Sequence, residues 1–255
     1  MRIALCISGE TREYNTFLGP EVFVDYLRSK GCTVDIYGHT WKHCGEPIET
    51  NVIKFKELLI QDQAIIDRWV DKNPNAHGWD TPRPDNMQAD EWFARLYHNT
   101  RVKIGQHIGG FNCLRMPNHN NYDLCIRWRW DLTLNLNHAW EESAMEYQFY
   151  PILESTSTVE EALAVTSCES GVALYGPNLE DTHYAFNRSA MNNINNFDLY
   201  NSILSVWNGG KISYHTLWNK LIIIHARTPI RTTLPNLTSH TKTGPHVHDP
   251  SPIFK

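Results

Sequence analysis

The stretch IALCISGETR at residues 3–12, read with VDIYGHTW at 34–41, decides the fold. Residues 3–7 are a continuous apolar run, the pattern of a strand buried on both faces. Ser8, Gly9 and Glu10 then signal a turn. Residues 20–30 (PEVFVDYLRSK) read as a helix, with Pro20 suited to its first position and Gly31 to its C-terminal cap. Residues 34–37 are a second strand, closed by Gly38. The start of the chain is therefore β-α-β, the unit of a parallel sheet with a right-handed crossover.

Further along, residues 52–72 contain one or two helical segments, and residues 73–85, rich in proline, read as a loop. Phe93, Leu96, Tyr97, Thr100, Ile104 and Ile108 follow helical spacing, which predicts a long helix over 87–108 ended by Gly109 and Gly110. Residues 122–134 are a third strong strand candidate. A capping-box pattern, Thr158 to Glu161, marks a short helix at 158–165. Residues 171–175 read as a strand, and 179–197, 198–207 and 213–227 as helices. The tail after Pro229 reads as loop. Together these predict a single α/β domain over 1–255, Rossmann-like, with a mostly parallel central sheet flanked by helices and a helical C-terminal part.

Composition narrows the function. Hydrophobic residues make up 41% and charged residues 20%, as in ordinary globular proteins. A net charge of −5, with no long run of either sign, argues against a dedicated nucleic-acid binder. The six cysteines form no C-x-x-C pair, so a structural zinc site of that type is not expected. No charged segment leads into an apolar one at the start of the chain, and the apolar runs, 221–224 among them, are far too short to cross a bilayer. A cytoplasmic protein with reduced thiols is the expectation. The dinucleotide fingerprint and the P-loop are both absent, which argues against dehydrogenases and common ATPases.

In open parallel sheets, ligands sit beyond the carboxyl ends of the strands. Those ends here carry Ser8-Gly9-Glu10-Thr11-Arg12, then Gly38-His39-Thr40-Trp41, then Trp130-Asp131. Gly9 lets a ligand approach the backbone, whose N–H groups, with Arg12, suit an anion such as a phosphate. A plain turn with a surface salt bridge would look the same. His39 is either a ligand contact or a strand-end histidine held by the backbone. Trp41 either stacks a base or sugar or fills the core. In RWRWD, 127–131, strict alternation puts Arg127, Arg129 and Asp131 on one face of a strand and Trp128 and Trp130 on the other. Buried charge is costly unless paired. The charged face is thus an internal Arg–Asp network, or a site where arginines meet phosphates and Asp131 meets a metal or a sugar hydroxyl.

These motifs resemble a family. IALCISGETR is similar to the S-G-x-x-R opening of a group of microbial and viral glycosyltransferases. VDIYGHTW is similar to their second-strand motif vDvfxHtW, and YDLCIRWRWDL, 122–132, to YDxxixxRxDl. The resemblance implies a GT-A-type fold, with residues 1–135 as the half that binds a nucleotide-sugar and 136–255 as the acceptor-binding half and tail. It implies transfer of a sugar from a nucleotide diphosphate donor to a hydroxyl of a glycan or small-molecule acceptor. Ser8, Gly9 and Arg12 would hold the phosphates, His39, Thr40 and Trp41 would line the base or ribose pocket, and Arg127, Arg129 and Asp131 would handle the diphosphate and donor sugar. Such folds hold Mn²⁺ or Mg²⁺ through D-x-D, but here the motif reads Arg129-Trp130-Asp131, without its first acid. Asp131, His246 and His248 are the metal-ligand candidates. Asp181, in the segment Asn178-Leu179-Glu180-Asp181, matches the acceptor-activating base, although acids also favour helix starts. Two other classes compete: a non-catalytic nucleotide- or sugar-binding protein on the same fold, and a nucleotidyltransferase.

Overall fold

A computed structural model of the chain describes residues 1–11, 19–29, 31–72, 86–130, 132–133, 173–175, 184–207, 217, 221–222, 230–232, 238–241 and 244–247. The elements are β1 (Arg2–Ser8), α1 (Gly19–Ser29), β2 (Thr33–Trp41), β3 (Phe55–Gln61), α2 (Ala64–Lys72), α3 (Ala89–Arg115), β4 (Leu124–Arg129), β5 (Leu132–Thr133), β6 (Ala173–Tyr175), β7 (Tyr184–Asn187), α4 (Arg188–Asn196), α5 (Leu199–Trp207), β8 (Ile230–Thr232), β9 (Thr238–Thr241) and β10 (Gly244–Val247). The expected loop at 73–85 and helix at 158–165 lie outside the described residues. Of the expected helix at 213–227, Leu217, Leu221 and Ile222 are described, and all three are buried.

The main sheet has the strand order β3-β2-β1-β4-β7-β6-β8. β3, β2, β1 and β4 are mutually parallel, β7 runs against both β4 and β6, and β8 is parallel to β6. The α/β class and the mostly parallel sheet are as expected. β5, β9 and β10 form a separate antiparallel sheet in the order β10-β9-β5.

Helices cover both faces, which is why β1 is buried from Ile3 to Ser8. Ile3, Leu5 and Ile7 face α1 in a core that includes Phe23, Leu27, Ile36, Ile126, Trp128 and Trp130. Ala4 and Cys6 face the other way, into a core shared with Ile104, Ile108 and Phe111 of α3 and Met191 and Ile194 of α4. The alternation read in RWRWD is present. Cys125 belongs to the α3 side, whereas Ile126, Trp128 and Trp130 pack on the α1 side. Trp128 stacks on Phe23 with ring centroids 4.0 Å apart.

The structure corrects several elements. The stretch 52–72 contains the expected helix at Ala64–Lys72, but residues 55–61 add an unexpected strand; FKELLIQ lies on the sheet edge, none of it fully buried, and its pattern carries no clean period of two. β2 runs through Gly38 to Trp41, because a side chain at 38 would meet Leu58 Cδ1 at 2.7 Å and Gly38 leaves that space to β3. α3 continues past Gly109 and Gly110 to Arg115, since the glycine serves close packing: a Cβ at Gly109 would come within 2.5 Å of the His39 ring. Residues 184–187 are strand β7 rather than helix. Asn187 ends it by accepting from the Ala190 N–H, which caps α4. The tail after Pro229 contributes β8, β9 and β10, so the C-terminal part is not purely helical. No helix among the described residues is long and apolar enough to cross a membrane.

Candidate functional site

The strand order locates the candidate site. From β1 the chain winds outward through α1 to β2 and on to β3, then returns to place β4 on the other side of β1. The connections thus diverge between β1 and β4, and ligands of such sheets bind at the carboxyl ends of strands at this switch point. The register is specific there. Ser8 is the Cα partner of His39 on β2 and of Arg129 on β4. The three polar motifs of the sequence therefore meet side by side at one edge.

Each residue has a physical setting. Gly9 has φ 117°, a backbone region open to glycine at little cost, so the chain turns sharply off the sheet directly after Ser8. Ser8 is fully buried, and its hydroxyl has no hydrogen-bond partner among the described residues. Most buried hydroxyls are partnered, so such a group at the carboxyl edge stands out. Arg127 is fully buried on the α3 side of the sheet, while Arg129, at the strand end, is partly exposed. Trp130 donates its indole N–H to the His39 carbonyl at 2.8 Å and so ties the end of β4 to β2 across β1.

His39 is a buried neutral histidine. Gln61 Oε1 accepts from Asn112 at 2.9 Å and pairs with His39 Nε2 at 2.8 Å, which makes Nε2 the protonated nitrogen. The ring lies under Gly109, and burial depresses its pKa to about 4 against the weaker upward pull of Gln61. Trp41 fills the core, edge-on to His39 and close to Gly105 of α3. Thr40 is buried too, but alternation along β2 turns it to the opposite face, that of Ile36, so the three residues expected to line one pocket do not share a face.

Four candidates, Arg12, Asp131, Asp181 and His248, lie outside the described residues. The backbone of His246 is described: it pairs with Ser239, which pairs in turn with Leu132. It therefore sits about two strand spacings, or roughly 10 Å, from the residue that follows Asp131. Arg129, a cation, stands where a D-x-D motif has its first acid. The described part of this strand end does not fit a carboxylate pair for Mn²⁺ or Mg²⁺.

Sequence reasoning missed one cluster at the same end of the sheet. Glu10 follows β1, and His43 and Cys44 lie in the 3-10 turn Lys42–Cys44 that follows β2. Their donor atoms all lie within 4.8 Å of one another. The adjacent His-Cys pair at a strand end was the available signal; the approach of Glu10 needed the parallel register.

Comparisons add little to this geometry. No protein-family model matches the chain, and no curated protein matches it. Among solved structures, it is similar to the apo form of mouse xyloside xylosyltransferase 1, at 12% identity and a TM-score of 0.33, over 91% of this chain and 83% of that one. The class is thus set by the chain's own sheet: an open, mostly parallel α/β protein with a polar carboxyl edge at its switch point.

Proposed function

We propose that this protein is a glycosyltransferase that moves a sugar from a nucleotide diphosphate donor to an acceptor hydroxyl. The observation that carries the reading is the register that sets Ser8 beside both His39 and Arg129. Three motifs far apart in sequence, each resembling that enzyme group, thereby share one sheet edge. In this reading the turn at Gly9 brings backbone N–H groups to the diphosphate, and the Ser8 hydroxyl and Arg12 add donors. Arg129, with Arg127 behind it, stabilises the charge that builds on the leaving diphosphate and so supplies what a metal would. Asp131 contacts the donor sugar or a cation, to which His246 and His248 are candidate further ligands. Asp181 takes the proton of the acceptor hydroxyl. His39 and Trp41 act from beneath, fixing the shape of the pocket floor.

The test is release of nucleoside diphosphate from a panel of nucleotide-sugars, with mass spectrometry of the product, for the wild-type chain and Asp181→Asn. Transfer by the wild type and a loss of roughly 100-fold or more in the variant support the reading. Nucleotidyl products, or no turnover of any donor with any acceptor class, would sink it. The cation at position 129, in place of an acid, favours one second reading: binding of a nucleotide-sugar without transfer. Binding without turnover would decide for it.

A further inference from the structure

We propose that Glu10, His43 and Cys44 form a binding site for a zinc-type transition-metal ion. The inference stands on these three side chains and not on the sugar-transfer reading. One carboxylate, one imidazole and one thiol, each with a donor atom within 4.8 Å of the other two, are the donor types that zinc takes. His43 Nε2 and Cys44 Sγ are already 3.2 Å apart. Donors bound to one tetrahedral zinc at about 2.0–2.3 Å lie about 3.5 Å from each other, so gathering the three onto one ion needs movements of about 1 Å.

The frame around the three residues is built. Thr11 donates its hydroxyl to the Cys44 carbonyl at 2.8 Å, which binds the segment after β1 to the turn after β2. Gly45, at φ 78°, closes the turn. Cys44 packs partly against the core, so its thiol is held rather than free to swing, while His43 is exposed and able to rotate. A bound dication would hold Cys44 as thiolate beside the Glu10 carboxylate, with one proton released on binding. Three protein ligands leave a fourth position, which makes this an open site rather than a closed structural one. A carboxylate, imidazole and thiol set suits zinc or cobalt better than magnesium or calcium, which prefer oxygen alone.

Cobalt(II) titration of the metal-stripped full chain tests the proposal. One equivalent should produce a thiolate-to-cobalt charge-transfer band in the near ultraviolet, and zinc should bleach it. Cys44→Ser should abolish the band. His43→Gln, at an exposed position, and Glu10→Gln should each weaken zinc binding by at least about tenfold with an unchanged circular dichroism spectrum. Absence of the band overturns the proposal. So does a band that survives Cys44→Ser, or a zinc affinity that neither His43→Gln nor Glu10→Gln changes.

Discussion

The two ends of the sheet treat their polar groups in opposite ways. At the amino end, Asp35 accepts from Arg2 at 3.1 Å, Lys56 at 2.9 Å and the Tyr122 hydroxyl at 2.7 Å. Tyr122 in turn meets the Tyr37 hydroxyl at 2.8 Å, and Asp123 accepts from the Arg2 backbone N–H at 2.7 Å. At the carboxyl end, the Ser8 hydroxyl and His39 Nδ1 are buried without a hydrogen-bond partner among the described residues. The charged and hydroxyl groups of the amino edge are thus paired with one another, although Asn195 Oδ1 beside His119 is buried without a partner among the described residues. The amino edge holds the fold; on the proposed reading the Ser8 hydroxyl at the carboxyl edge meets a ligand, while His39 Nδ1 lies closed off under Gly109.

Acid should separate the two ends most strongly. Burial holds His39 at about 4, below its ordinary 6.5, so the unfolded state binds its proton first. Stability from the neutral ring is complete above 6.5 and falls as the pH drops toward 4, by about 3 kcal/mol in all. Burial raises Asp35, but hydrogen bonds from Lys56, Tyr122 and Arg2 outweigh it and leave its pKa below the ordinary value. Its contribution therefore survives that window and is lost only as the pH falls below the usual carboxylate range. Urea melts of the wild type and His39→Gln between pH 7 and 4 check this. The variant should show a shallower loss, and an equal loss would break the comparison.

Gly109→Ala should cost about 2 kcal/mol, because the new methyl group meets a ring that Gln61 and Trp41 prevent from retreating. A denaturant midpoint equal to that of the wild type would show that α3 can move away. Asp35→Ala should cost about 1 kcal/mol, since its partners reach water in part. It should leave ligand binding at the far edge unchanged. Ser8→Ala should do the reverse: stability within about 0.5 kcal/mol of the wild type, but weaker binding of nucleoside diphosphate. A large stability loss in Ser8→Ala would show that its hydroxyl serves the fold.

The central strands were legible because burial on both faces writes a continuous apolar run, as in residues 3–7. Alternation in RWRWD likewise exposed the two faces of β4. The edges were less legible. β3 is only partly buried, so Lys56, Glu57, Leu58 and Leu59 mimic a helix. Gly109 and Gly110 read as a stop because local sequence cannot distinguish a glycine that ends a helix from one that admits a neighbouring ring. At the candidate site, the sequence marked the strand-end motifs, and the structure adds that Ser8, His39 and Arg129 are direct neighbours in register. The buried state of His39 and Trp41 under α3 and the Glu10–His43–Cys44 cluster depend on contacts between elements, which no single motif records.

The most direct test of the division between edges is calorimetric titration of UDP and GDP, with and without Mn²⁺, into the wild type, Arg129→Ala and Asp35→Ala. The account predicts binding to the wild type, a loss of at least about tenfold in Arg129→Ala, and unchanged affinity in Asp35→Ala. No binding of either nucleotide under any condition, or equal affinity in Arg129→Ala and the wild type, would contradict it.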